Sequence, residues 1–126
     1  MPGAKMTIVE PDGWDDMGQS LRKGKIVPVP ADAPNTVCDA LQTPVVSPLT
    51  FEILKERKAE AVSVSDEEVF RAMRHAHERL RLVLEPGGAV ALAAVLAGKV
   101  EVDDRTLIIL SGGNVDPALF SRALAS

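Results

Sequence analysis

The apolar positions of the chain change period along its length, and each period names an element. Lys5-Met6-Thr7-Ile8-Val9 is a short β-branched run closed by Glu10-Pro11, the pattern of a buried strand. Asp12-Gly13 is turn chemistry, and Asp15 or Asp16 is placed to cap a short helix through Leu21 that Lys23-Gly24-Lys25 ends. Pro28, Pro30 and Pro34 make Ile26 to Asn35 an irregular connection, followed by a brief helical turn within Thr36 to Leu41. Ser47-Pro48 is an N-cap with proline in the first helical position, so a helix is expected from Pro48 to about Lys58.

Ala61-Val62-Ser63-Val64 alternates as a short strand does, and Ser65-Asp66-Glu67-Glu68 is a capping box. Behind it Val69, Met73, Ala76, Leu80 and Val83 keep one apolar face for four turns. Arg71, Arg74, His75, Glu78 and Arg79 form the wet face. Glu85-Pro86-Gly87-Gly88 breaks that helix, and Ala89 to Ala97 reads as a second one, apolar nearly all round and stopped by Gly98. Thr106-Leu107-Ile108-Ile109-Leu110 is the strongest strand, apolar at four consecutive positions as a strand covered on both faces would be. After Ser111-Gly112-Gly113-Asn114, Asp116-Pro117 opens a final helix through Leu124. Three strands separated by helices give an α/β, three-layer expectation: a parallel sheet flanked by helices. Three interior strands are few, so the sheet is expected to be partial.

Composition narrows the function classes. The chain has 126 residues, 46% hydrophobic and 25% charged, which suits one domain or a piece of a larger one rather than a disordered segment. Fourteen basic residues against eighteen acidic ones give −4 with no basic stripe, and aromatic residues are few. Nucleic acid and anionic membrane are therefore poor partners. The longest apolar stretch has nine residues, too short to span a bilayer. One cysteine, Cys38, excludes an internal disulfide or thiolate cluster and fits a reducing cytoplasm.

Two loops carry candidate chemistry. Ser111-Gly112-Gly113-Asn114 follows a strand, where ligands collect in open α/β folds, and its glycines allow close backbone approach; an ordinary tight turn explains the same residues. Glu10, Asp12, Asp15 and Asp16 put four carboxylates within seven residues at a strand end. They suit a hard cation such as Mg²⁺ or Ca²⁺, or a solvated acidic turn capping a helix. His75 and His77 are two apart on a helix and face opposite sides, so they are not a metal pair. Glu85, beside Gly87-Gly88, is either a cap or a pocket carboxylate.

Val9-Glu10-Pro11, Asp15-Asp16, Gln19-Ser20, Leu84-Glu85-Pro86-Gly87-Gly88-Ala89 and Leu110-Ser111-Gly112-Gly113-Asn114-Val115-Asp116 fall in one order along nearly the whole chain. Together they resemble the C-terminal part of serine/threonine dehydratases, the pyridoxal-phosphate family that includes serine racemase and 3-hydroxyaspartate dehydratase. The resemblance implies a fold similar to the tryptophan synthase β subunit, with residues 1–126 forming the C-terminal portion of the large domain. It implies that Ser111 faces the pyridine nitrogen of pyridoxal 5′-phosphate, with Gly112 beside it and Ala40 where relatives often have glycine against the cofactor. It implies a divalent cation, Mg²⁺ or Ca²⁺, on the carboxylates of Glu10 and Asp16 and the backbone carbonyl of Trp14. Glu85 and Asn114 match positions that line a nucleotide effector site in the racemase branch.

The family reaction is β-elimination of water from a hydroxy-amino acid such as L-serine or L-threonine, giving a 2-oxo acid and ammonia. The family's Schiff-base lysine and its glycine-rich phosphate loop sit in N-terminal motifs that this sequence does not contain. The family normally needs roughly twice this length or more. No catalytic residue is therefore assigned within the chain. The expectation is a fragment or split part of an ammonia-lyase, inactive without the missing N-terminal portion and assembled with that portion or with a homodimer mate. The alternative is a non-catalytic binding module derived from the same fold.

Overall fold

The computed structural model describes residues 3–126, and two short strands carry its layering. β1 (Thr7–Pro11) and β2 (Glu60–Val64) pair in parallel, with Thr7 opposite Glu60 and Pro11 opposite Val64. Alternation along the strands divides the core. Ile8 points to a cluster of Met17, Val46, Phe51 and Leu54, supplied by α1 (Asp16–Lys23), α2 (Pro48–Glu56) and the loop before α2. Val9 and Val62 point the other way, to a larger cluster around Val69, Met73, Leu92 and Ala93. That second layer holds α3 (Asp66–His75), α4 (Pro86–Leu96) and α5 (Pro117–Ala125). The expected α/β arrangement, helices on both faces of a partial parallel sheet, is the one observed.

Local chemistry explains most boundaries. Gly24 adopts φ +69° and closes α1, and Gly98 at φ +69° follows α4. Ser65 and Glu68 form the reciprocal capping box of α3: the Glu68 amide donates to Ser65 Oγ at 3.3 Å, and the Ser65 amide donates to Glu68 Oε2 at 2.8 Å. Asp116 accepts from the amides of Ala118 and Leu119 and starts α5. Asp39–Leu41 is a single 3₁₀ turn, the brief helical turn expected there.

The structure differs from the pattern in four places. The helix at Asp66 does not run four turns on one apolar face. It passes into a π turn over Ala76–Leu80 and stops at Arg81, which takes a left-handed φ of +60°. Leu80 and Val83 are consequently exposed, and the buried stripe ends at Ala76. Pro86-Gly87-Gly88 does not only break a helix; it forms the first turn of α4, with proline at a position that needs no amide donor. Ser47 precedes α2 without a side-chain cap bond. Thr106–Leu110 is extended but belongs to no ladder, and only Ile108 and Leu110 pack against the core. The apolar run expected to be covered on both faces is covered on one.

Candidate functional site

Strand alternation sets the first group of residues. Glu10 lies on the same face of β1 as Ile8, so its carboxylate reaches the start of α1. Oε1 accepts the Met17 amide at 2.9 Å and Oε2 accepts the Gly18 amide at 2.8 Å. The cap of α1 is thus a glutamate from the preceding strand, where the sequence pointed to Asp15 or Asp16. Asp15 instead accepts from Gln19 at 3.0 Å and pairs with Arg22 at 3.0 Å. Gly18 makes the approach possible, because a Cβ there would sit 3.0 Å from Ala61 Cβ and 3.2 Å from Glu10 Oε2.

Asp16 is only 4% exposed, and its Oδ2 has no hydrogen-bond partner among the described residues. Burial raises its pKa above the usual range, and Asp15 adds to the shift. Burial likewise pushes Glu10 up to about 6, against the two amide bonds that favour its charged form. Trp14 is fixed between these carboxylates in sequence: its indole Nε1 donates to the Pro34 carbonyl at 2.7 Å and its amide to the Pro11 carbonyl at 3.0 Å. Pro34 covers Gly13, whose φ is +79°.

Glu10, Trp14, Asp16 and Ala40 line one open cavity of about 490 Å³, together with Ile8, Leu41 and other apolar side chains. Ala40 is exposed and reaches it from the 3₁₀ turn. A feature that local pattern does not disclose holds that turn in place. Asp66, in the first turn of α3, accepts from Thr36 Oγ1 at 2.6 Å and from the Val37 amide at 3.1 Å. Cys38 beneath is fully buried, and burial pushes its thiol up to about 11, so it is an inert core residue.

The second group gathers at the start of α4. Ser111 is exposed, and its amide points at the Gly88 carbonyl at 3.4 Å. The Ser111 backbone occupies the space a Cβ on Gly88 would need, and the Glu85 side chain occupies that of a Cβ on Gly112. Gly112 also needs its φ of +68°, and its carbonyl accepts the Glu85 amide at 3.1 Å. Glu85 is the N-cap residue of α4 without a side-chain cap bond, packed on Gly112. Asn114 is exposed two residues on. Ala40 lies against the space beside Gly87 at 3.6 Å. The two groups therefore flank one turn, Pro86–Gly88. His77 packs edge-on to Phe120 at 5.4 Å, a core contact away from either group.

The donor set suits a hard cation. Two carboxylates and a backbone carbonyl are oxygen ligands, and each Glu10 oxygen keeps a lone pair beyond its amide bond. The orphaned Asp16 oxygen is the kind of atom a cation satisfies. Among the described residues no three His, Cys, Asp or Glu side chains converge for a metal ion, so water would complete any coordination.

A parallel sheet with helices on both faces, and a serine followed by two glycines beside a helix start, is an α/β layer with a loop of the kind at which ligands collect in open α/β folds. The family described as "Pyridoxal-phosphate dependent enzyme" matches residues 1–112, and the chain belongs to that family. It is 37% identical over 125 residues to a serine racemase of Schizosaccharomyces pombe, covering 98% of this chain and 38% of that one. It is 40% identical over 116 residues to an L-threo-3-hydroxyaspartate ammonia-lyase of Saccharomyces cerevisiae, covering 91% of this chain and 35% of that one. The fold superposes on a T.th. threonine deaminase with a TM-score of 0.82 at 37% identity, covering 91% of this chain and 42% of that one. Maize serine racemase gives a TM-score of 0.81 at 30% identity, covering 98% and 39%. The chain thus spans less than half the length of these relatives. Enzymes of this family use pyridoxal phosphate. No helix among the described residues is long and apolar enough to cross a membrane.

Proposed function

We propose that the chain is the C-terminal portion of the large domain of a pyridoxal-phosphate-dependent ammonia-lyase. Its substrate is L-serine, L-threonine or a related hydroxy-amino acid, which leaves as a 2-oxo acid and ammonia. The observation that carries this reading is the placement of Ser111. Its side chain is exposed at the end of an extended segment, and its backbone is wedged against Gly88 at the start of α4.

When bound, the cofactor supplies a ring that accepts the electron pair left by the departing α-proton. Ser111 would hold the ring nitrogen by its hydroxyl, which is too weakly acidic to protonate it fully and would so moderate that electron demand. Gly112 leaves room for the Glu85 side chain, which fills the space a Cβ there would need, and so lets the Ser111 loop lie close to the start of α4. Ala40 would border the cofactor from the 3₁₀ turn, near Gly87. Glu10, Asp16 and the Trp14 carbonyl would hold Mg²⁺ or Ca²⁺, which would neutralise one buried and one half-buried carboxylate and stiffen the β1–α1 turn. Glu85 and Asn114, on either side of Ser111–Gly113, form the nucleotide effector position. The lysine that removes the α-proton lies outside this chain, so the chain is inactive alone. A cytoplasmic setting suits its single buried thiol.

The test is complementation. The chain is mixed with a polypeptide carrying the family's lysine and glycine-rich loop, and cofactor absorbance and ammonia release from L-serine and L-threonine are followed. Recovery in the mixture, and a loss of about 100-fold on Ser111→Ala, is expected. A chain that binds another partner and restores no activity in any pairing is a non-catalytic module.

A further inference from the structure

We propose that the Trp14 side chain is a positioning group for a cation on Glu10, Asp16 and the Trp14 carbonyl: its indole clamps the β1–α1 turn to the proline-rich loop through the Pro34 carbonyl. The inference rests on the proposed cation site and adds what fixes its backbone ligand.

The three ligands are not fixed alike. Both Glu10 oxygens accept amides of α1, at 2.9 and 2.8 Å. Asp16 is buried in the first turn of that helix. Trp14 lies in the turn between them, outside every helix and strand. Its carbonyl accepts no hydrogen bond among the described residues, so its lone pairs are open to a ligand. A carbonyl in a turn serves a cation only when the turn is held. Oxygen ligands keep within about 0.3 Å of one another around Ca²⁺ and within about 0.1 Å around Mg²⁺.

Three contacts hold it. The Trp14 amide donates to the Pro11 carbonyl at 3.0 Å and closes the turn. The indole Nε1 donates to the Pro34 carbonyl at 2.7 Å, across twenty residues of chain. The Pro34 ring lies on Gly13, where a Cβ would stand 2.5 Å from Pro34 Cδ. The Pro34 side is itself stiff. Pro28, Pro30 and Pro34 have their φ set by the ring. The Val29 amide donates to the Pro44 carbonyl at 2.9 Å and the Ala33 amide to the Pro30 carbonyl at 3.1 Å. Just after Pro34, Asp66 of α3 holds Thr36 Oγ1 and the Val37 amide. Contacts thus run from α3 through the Pro34 loop to the residue that carries the ligand carbonyl. Closing the turn does not need the indole, because the Trp14 amide does that and the Asp12 amide ties the turn to the Val64 carbonyl at 2.9 Å. What the indole adds is orientation. Removing a partner that orients a metal ligand from behind costs about 10–100-fold in affinity.

The experiment is calorimetry with Ca²⁺ and with Mg²⁺ on the chain and two variants. Trp14→Phe keeps an aromatic ring and removes the donor. Pro34→Gly keeps the acceptor carbonyl, uncovers Gly13 and frees the loop. Each variant binds about tenfold or more weakly. Trp14 is the only tryptophan of the chain, so its emission follows the cation directly. In the native chain that emission changes with a midpoint equal to the calorimetric constant, and in Pro34→Gly the midpoint moves by the same factor as the affinity. Melting in the presence of chelator measures the purely structural part. A folded variant of either kind that melts lower in chelator but binds the cation as the native chain does overturns the proposal. So does tryptophan emission that ignores a cation which calorimetry detects. If one variant does not fold, the other decides. If the native chain does not fold alone, the calorimetry is done on a single chain joining it to the part of Schizosaccharomyces pombe serine racemase that it does not match. The two readings fail separately. A folded native chain that binds neither cation removes the site and the clamp together. Binding that is lost in Asp16→Asn and unchanged in Trp14→Phe and Pro34→Gly keeps the site and removes the clamp.

Discussion

The backbone of Ser111 occupies the space in which a Cβ on Gly88 would stand. Gly88 is therefore required by close packing and not by its dihedral angles. Gly88→Ala forces α4 and the Ser111 segment apart and should cost about 1–3 kcal/mol in urea unfolding. Gly87 is the control one residue away. A Cβ there meets only Leu41 and Ala40 at 3.4 Å and beyond, so Gly87→Ala should be neutral or stabilising by about 0.5–1 kcal/mol. Equal effects of the two substitutions would remove the packing explanation.

That contact also shows what the sequence conveyed and what it withheld. The Gly87-Gly88 pair and the Ser111-Gly112 pair were visible as two separate glycine signals, but no local rule joins residues more than twenty apart. Local rules worked where the chemistry is local: the Ser65–Glu68 box, the Asp116 cap and the Gly24 stop fall where the pattern put them. They failed at α1, because its cap comes from Glu10, eight residues before Gly18 and across a turn. They failed again at Thr106–Leu110, where the apolar run records burial that the described residues do not supply. The candidate carboxylates were legible as a cluster. The division of labour among them, Asp15 paired, Glu10 capping and Asp16 unpartnered, follows from strand alternation and helix phase, which a list of residues does not contain.

Asp16 gives a ligand prediction. On the proposed site, Mg²⁺ or Ca²⁺ on Asp16, Glu10 and the Trp14 carbonyl would stabilise the folded state by mass action, about 2.7 kcal/mol at a hundredfold excess over the dissociation constant. The melting temperature of the chain should therefore rise with cation concentration and fall back on chelation. Asp16→Asn keeps the side-chain shape, removes the charge and should abolish the rise. A variant that responds as the native chain does would exclude Asp16 as a ligand.

Asp66 gives a prediction about a tether. Its carboxylate is the hydrogen-bond partner of both Thr36 Oγ1 and the Val37 amide, and these hold the turn that carries Ala40. Asp66→Ala leaves the amide of Val37 without that partner and should cost about 1–3 kcal/mol. Thr36→Val removes the bond from Thr36 Oγ1 to Asp66 and the one Thr36 Oγ1 accepts from the Cys38 amide at 3.2 Å. The charge-assisted bond from the Val37 amide to Asp66 survives, so its cost should be about 1–2 kcal/mol and below that of Asp66→Ala. Chemical denaturation of both variants checks the order, and a Thr36 effect as large as the Asp66 effect would contradict it.

Glu68 ties α3 to the segment after α4, and its titration gives the pH dependence. Burial raises its pKa, but the hydrogen bond from Lys99 Nζ at 2.7 Å and the Ser65 amide outweigh burial, and Arg71 adds to them. The net effect holds the carboxyl below its ordinary 4.5. A group with a depressed folded pKa binds fewer protons in the folded than in the unfolded state through that interval. Its stabilisation is therefore full above the unfolded value of about 4.5 and is lost as pH falls through the folded value. Lys99 also donates to the Ser63 carbonyl at 2.9 Å, so the ammonium keeps one partner when Glu68 is neutralised. Glu68→Gln should cost about 0.5–1 kcal/mol near neutral pH, given the partial exposure of Lys99. The difference between native chain and variant should be constant from neutral pH down to about 5 and shrink below it. Urea unfolding of both proteins across that range measures it, and a difference that grew on acidification would reverse the sign assigned to the Glu68–Lys99 pair.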